Sequence, residues 1–283
     1  MAKQLLGKEV VASLNEKITA DIKALVKRGI HPTLAIIRVG EREDDLSYER
    51  AAGKRCETLG VVCEKITLPE SVSQEELIST IEKVNKDDNI HGVLMFRPLP
   101  AHLDEAKIVN TLSPQKDVDG ITDGSMVGVF AGSNQGFPPC TAKACMEILK
   151  YYNIDCTGKR VVVVGRSLVI GKPVAMMLIK EDATVTICHT RTVDMPSVVR
   201  EAKIVIVAAG RAGVIDDSYL SCGQIIIDVG INFTKEGKLC GDVDFAKAEP
   251  IVDAITPVPG GVGAVTTSVL VGHVVEVAKR TQK

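Results

Sequence analysis

Three short stretches of this 283-residue chain hold side chains whose type and spacing suit chemistry. "DLSYERAAGKRCETLG", residues 45–60, has the apolar spacing of a helix that stops at a glycine, and it carries Tyr48. One turn along the same face stands Ala52, a methyl group where a proton-transfer group would be useful. Lys54 follows two residues later, about 200° round the helix from Ala52, on the opposite side. "VVVVGRSLVIGKP", 161–173, reads as a strand, a glycine turn and a helix start, with Arg166 and Ser167 in the turn. Gly165 and Gly171 are six apart, so this is not the usual G-x-G-x-x-G. The free N–H groups and dipole of a helix start still favour a phosphate there. The third stretch, "QKDVDG" (115–120), places a carboxylate, Asp119, in a sequence that is also good turn chemistry.

The strand after the glycine turn ends "TICHTRT". NAD-type sites put an Asp or Glu there to accept from the ribose 2′-hydroxyl. Here the positions hold His189, Thr190 and Arg191. An acid would repel a 2′-phosphate, whereas Arg166, Arg191 and the Thr190 hydroxyl suit one, so NADP is favoured over NAD. The plain alternative is a structural turn with two solvated arginines.

The elements that must position these residues alternate. "KEVVASLNEKITADIKALVKRG" is a helix, "TLAIIRVG" a buried strand, the Tyr48 segment a helix and "VVCEKITLP" a strand. "SQEELISTIEKVNKD" is a helix capped by Ser73, and "IHGVLMFRPLP" a strand. A loop-rich region, 111–141, separates this β-α-β-α-β run from a helix at 142–152 and a second alternating block. The tail "GAVTTSVLVGHVVEVAKRTQK" is a helix of about 20 residues able to return to the first domain. The fold class is therefore α/β, two parallel-sheet domains, the second of Rossmann type. The boundaries are 1–140 plus 265–283 for the first domain and 141–264 for the second.

A hydrophobic share of 45% with 25% charged residues is that of a globular protein with a large core. The net charge of −2 gives no basic face for nucleic acid. No apolar run reaches the roughly 18 residues of a membrane span, and the start has no secretory pattern, so a cytoplasmic protein is expected. Eight cysteines without a C-x-x-C pair or a histidine cluster read as reduced structural thiols, with no metal site.

"QKDVDG", "PPCT" (138–141), "VVVGRSLVIGKP", "IIIDVGIN" (225–232) and "ITPVPGGVG" (255–263) occur in this order along the chain. Together they resemble the methylenetetrahydrofolate dehydrogenase/cyclohydrolase family over essentially the whole sequence. The resemblance implies a folate-binding domain as one wall of a cleft and an NADP-binding Rossmann domain as the other. It implies that Tyr48 stacks on the folate rings and that Asp119 hydrogen-bonds the pterin, these two being the catalytic candidates. Pro259, Gly260 and Gly261 would line the substrate side of the nicotinamide, and Gly165, Arg166, Ser167, Thr190, Arg191 and Ile231 would hold NADP. The partners implied are tetrahydrofolate one-carbon derivatives and a second copy of the chain in a homodimer.

Two departures bear on activity. Bifunctional members of the family carry a lysine four residues after the tyrosine, where this chain has Ala52. They carry a glutamine two residues before the proline of "VLMFRPLP", where this chain has Phe96. Hydride transfer from the methylene carbon to the nicotinamide moves no O–H or N–H proton, so clamping two flat rings suffices. Hydrolysis of the methenyl product needs a positioned acid/base, and a phenol with pKa near about 10 is a poor one at neutral pH. The residues thus predict a dehydrogenase with weak or absent cyclohydrolase activity. The alternatives are an ordinary bifunctional enzyme, with Lys54 or Arg97 reaching the site, and a non-catalytic folate or NADP sensor.

Overall fold

Every residue from Thr33 to Val39 is buried, as a parallel strand covered on both faces must be. It lies at the centre of a three-stranded sheet in one of two compact units. The computed structural model describes residues 1–280. One unit comprises Met1–Ala12 and Thr141–Thr266, and the other Ser13–Cys140 and the chain from Thr267 onward.

In chain order the elements begin with β1 (Lys3–Gln4), α1 (Gly7–Val26), β2 (Thr33–Val39), α2 (Glu43–Leu59) and β3 (Val62–Leu68). Then come α3 (Gln74–Lys86), β4 (Gly92–Met95), α4 (Glu105–Thr111), α5 (Asp123–Ala131) and α6 (Cys140–Tyr151). The second half runs β5 (Arg160–Val164), α7 (Gly171–Lys180), β6 (Thr184–Cys188), α8 (Met195–Arg200), β7 (Ile204–Val207) and β8 (Ile225–Asp228). It closes with a hairpin of β9 (Asn232–Phe233) and β10 (Leu239–Cys240), then α9 (Phe245–Ala248), β11 (Ala254–Ile255) and α10 (Thr266–Arg280).

The smaller sheet has the order β3-β2-β4, all parallel. Leu77, Ile81 and Val84 of α3 pack with Ala35, Ile37 and Val39 of β2 and with Val93 and Met95 of β4. The Ser73 hydroxyl accepts from the Glu76 N–H at 3.1 Å, the cap that the sequence predicts. Helix α2 is tied to the sheet by ions. Arg38 of β2 donates to Glu49 at 2.8 Å, and Lys65 of β3 reaches the other Glu49 oxygen at 2.9 Å. Burial pushes the Glu49 carboxyl up, but hydrogen bonds from Lys65 and Arg38 outweigh it and leave its pKa lowered. Glu49 follows Tyr48 directly, so this network fixes the segment that presents the tyrosine.

The larger sheet has the order β1-β11-β8-β7-β5-β6, with every neighbouring pair parallel. From β5 the chain adds β6 on one side and β7, β8 and β11 on the other. That makes β5/β7 the topological switch point of a doubly wound, Rossmann-type sheet.

The N-terminus corrects the expected boundary of 1–140. Lys3 and Gln4 pair with Ala254 and Ile255, so Met1–Ala12 belongs with the larger sheet's unit. A two-residue strand has no periodicity to read, which also hid β9, β10 and β11. The region 111–141, expected to be loop-rich, contains α5, whose Thr122 hydroxyl accepts from the Ser125 N–H at 3.1 Å. The tail helix runs to Arg280, and residues 281–283 of the expected helix lie outside the described residues. No helix among the described residues is long and apolar enough to cross a membrane.

Candidate functional site

Tyr48 is half-buried on α2, and Ala52, one turn on, is fully buried. The Phe96 ring, just past the end of β4, meets the Tyr48 ring edge-on, with centroids 6.0 Å apart and planes at 86°. An aromatic edge thus stands where an amide would offer a donor and an acceptor. Lys54 is exposed on the far side of α2. Arg97, next to Phe96, lies 3.6 Å from Glu105, whose other oxygen accepts from the Leu99 N–H at 2.7 Å. Arg97 is thus engaged by Glu105, and helix geometry puts Lys54 about 200° round α2 from Ala52.

The two acids of "KDVDG" separate cleanly. Asp117 is fully buried, and its carboxylate accepts from the Ile121 and Thr122 N–H groups and from the Thr122 and Ser125 hydroxyls. It organises the turn into α5. A parallel bridge between Val93 and Asp117 ties this turn to β4, the strand that Phe96 follows, and Asp119 stands in the turn two residues beyond the bridge. Asp119 is only half-buried. Burial raises its carboxyl to about 6, against hydrogen bonding from Cys140 and the charge of Arg97, with Asp117 adding to the rise. Asp119, unlike Asp117, is not consumed by its own loop.

In the other unit, Gly165 ends β5 with φ +131°, and a Cβ there would sit 2.2 Å from the Ala208 carbonyl oxygen at the end of β7. A Cβ on Gly171 would sit 2.3 Å from the Gly165 oxygen. Both glycines are thus required for the chain to pass the switch point so closely. Ser167 accepts from the Ile170 N–H at 3.1 Å, closing the turn, while α7 begins with no side-chain cap on its own N–H groups. Arg166, Ser167, Thr190 and Arg191 are all exposed. His189 Nδ1 accepts from the Arg191 N–H at 3.1 Å, which shapes the loop after β6. This cradle fits a dinucleotide: backbone donors at a helix start, no room for a Cβ, and no acid at the end of β6.

Ile231 is 65% exposed beyond β8, and Pro259 and Gly260 are exposed while Gly261 is buried. The Gly7 N–H donates to the Gly260 oxygen at 2.8 Å, anchoring the "PVPGG" loop on the start of α1. Sequence reading missed the two acids that hold these loops. Asp228 accepts from the Gly230, Asp242 and Val243 N–H groups. Asp242 accepts from the Ala209 and Gly210 N–H groups and from the Asn232 amide. Burial pushes Asp228 up to about 6 against those three donors. The signal was there: a lone carboxylate ending the apolar run "IIID". Arg55, also missed, is seven residues from Tyr48, a helical spacing that returns to the same face.

A doubly wound sheet with a phosphate-ready glycine turn at its switch point defines an NAD(P)-binding α/β unit. The second α/β unit carries a tyrosine and a carboxylate at the ends of its own sheet. Residues 139–282 match the NAD(P)-binding domain of tetrahydrofolate dehydrogenase/cyclohydrolase, and residues 5–119 match its catalytic domain. The chain belongs to the tetrahydrofolate dehydrogenase/cyclohydrolase family. It is 52% identical to the bifunctional protein FolD of Carboxydothermus hydrogenoformans over 278 residues, 98% of this chain and 97% of that one. The crystal structure of the bifunctional FolD enzyme of Campylobacter jejuni superposes with a TM-score of 0.96 at 37% identity, covering 99% of this chain and 100% of that one. The Trypanosoma brucei dehydrogenase-cyclohydrolase, solved with NADP and an inhibitor, gives 0.91 at 34% identity, over 99% and 98% of the two chains. The names of these relatives carry both activities, which favours the bifunctional alternative over a reading from Ala52 and Phe96 alone.

Proposed function

We infer that this chain is an NADP-dependent 5,10-methylenetetrahydrofolate dehydrogenase that also hydrolyses the methenyl product, with hydrolysis the slower half-reaction. The observation that carries the folate assignment is Tyr48, half-buried on α2 beside Phe96, together with Asp119, half-buried in the turn that the Val93–Asp117 bridge ties to β4. Tyr48 offers a flat face for stacking, and the Asp119 carboxylate accepts from pterin N–H groups. When bound, NADP supplies the hydride acceptor. Gly165, the Ser167 turn and the α7 start suit its pyrophosphate, and Thr190 with Arg191 suits its 2′-phosphate. The Trypanosoma brucei relative, solved with NADP, supports that cofactor. Pro259, Gly260, Gly261 and Ile231 belong to the nicotinamide end of the site on this reading. Tetrahydrofolate one-carbon derivatives are the substrates and a homodimer is the expected assembly, checked by sedimentation.

The bifunctional reading rests on the relatives. A specific pair of residues favours a second reading, with little or no hydrolysis: a fully buried methyl at Ala52 and the Phe96 ring against Tyr48. Assaying both half-reactions on purified protein separates the two. Methenyl hydrolysis well above the rate in buffer supports the bifunctional enzyme, and its absence supports the monofunctional one. In the second case Ala52→Lys combined with Phe96→Gln should restore measurable hydrolysis. A protein that binds NADP yet reduces none of it on adding methylenetetrahydrofolate would be a sensor, and both readings would fail.

A further inference from the structure

Hydrolysis of a methenyl cation without the lysine calls for another polar or charged group, and the Tyr48 face of α2 carries Arg55. At about 100° per residue, Arg55 lies within about 20° of Tyr48 round the helix axis and about 10 Å along it. Helical side chains lean toward the N-terminus, so Arg55 covers the turn that contains Ala52. Tyr48 and Arg55 are both half-buried, and they flank the buried stripe of α2 formed by Asp45, Glu49, Ala52, Cys56 and Leu59. Arg55 Nε donates to the Thr267 hydroxyl at 3.3 Å, in the first turn of α10.

The charge of Arg55 is otherwise unspent. Arg38 is paired with Glu49, Arg42 with Asp45 and Arg97 with Glu105. Among the described residues no carboxylate lies within ion-pair distance of Arg55, and its hydroxyl partner is neutral. It also stands at the positive end of α10, where a cation is disfavoured unless negative charge joins it. A half-buried cation in that setting is suited to a transient anion.

We propose that Arg55, anchored by Thr267, is the positively charged group that stabilises the attacking water as it becomes hydroxide in methenyl hydrolysis. This rests on the folate assignment above. In the step, the water oxygen bonds to the methenyl carbon and the bond from that carbon to N5 breaks, its electron pair staying on N5. One of the two water protons ends on N5 and the other in solvent. Arg55 keeps all its protons throughout and acts by charge and hydrogen bonding. The same charge opposes the dehydrogenase step, whose product is a cation.

The test is both half-reactions in the purified chain and in Arg55→Ala, Arg55→Lys and Thr267→Val, across pH. In Arg55→Ala, methenyl hydrolysis should fall on the order of 10²-fold, while methylene oxidation should rise a few-fold. A purely structural role would lower both. In Arg55→Lys, hydrolysis should persist with a new ionisation at alkaline pH, because an ammonium titrates where a guanidinium does not. Thr267→Val should lose part of the hydrolysis. The proposal is overturned if Arg55→Ala leaves hydrolysis unchanged, if both rates fall together, or if the unmodified chain does not hydrolyse methenyl folate while still oxidising methylene folate. Loss of both activities from the unmodified chain would instead remove the folate assignment.

Discussion

The pH dependence of folate turnover gives the sharpest check on Asp119. Its carboxyl, ordinarily near 3.8, is raised to about 6 by burial against Cys140 and Arg97. Pterin N–H donors need an acceptor, so the ionised form binds and the protonated form binds poorly. The free enzyme's pKa governs kcat/KM for methylenetetrahydrofolate. With a pKa near 6, Asp119 is almost fully ionised at about pH 7.5 and about one-tenth ionised at about pH 5, so kcat/KM should fall roughly tenfold between them. Asp119→Asn keeps the shape and one acceptor but loses the charge, at a cost of about 10–10²-fold in kcat/KM, and its profile should be flat over this range. Stability moves the other way. A raised folded-state pKa favours the protonated form, a contribution present below the unfolded value and lost as pH rises through about 6. At neutral pH Asp119→Asn should therefore melt at or above the temperature of the unmodified chain. Steady-state kinetics in mixed buffers at constant ionic strength, with thermal unfolding alongside, reads both. An unmodified chain with a flat profile, or a variant that keeps the bend, would refute the assignment.

Three further outcomes are expected. Gly165→Ala should lose NADP affinity by more than about tenfold and about 1–3 kcal/mol of stability, because the new methyl would lie 2.2 Å from the Ala208 oxygen at a φ of +131°; fluorescence titration and thermal melts measure this. Arg191→Glu should raise KM for NADP by about 10–10²-fold while changing that for NAD little, since an acid repels the 2′-phosphate and accepts from a 2′-hydroxyl. Gly241→Ala should destabilise by about 2–4 kcal/mol in chemical denaturation, because its Cβ would fall 1.9 Å from Asp228 Oδ2 and break the clamp on the loops after β7 and β8.

Local signals in the sequence determined much. The apolar run "TLAIIRV" and the Ser73 cap determined β2 and the start of α3, because burial and capping depend on nearest neighbours. The glycine turn after "VVVV" and the missing acid in "TICHTRT" marked a nucleotide site, since those demands fall on the chain within one βα unit. Tertiary structure decided what depends on distant partners. The placement of Met1–Ala12 followed from pairing with Ala254–Ile255, about 250 residues away and legible in no local pattern. That Asp117 is spent on its own turn depends on the donors folded round it from Ile121, Thr122 and Ser125. The standing of Arg55, seven residues from Tyr48, emerged only once α10 had brought Thr267 against it.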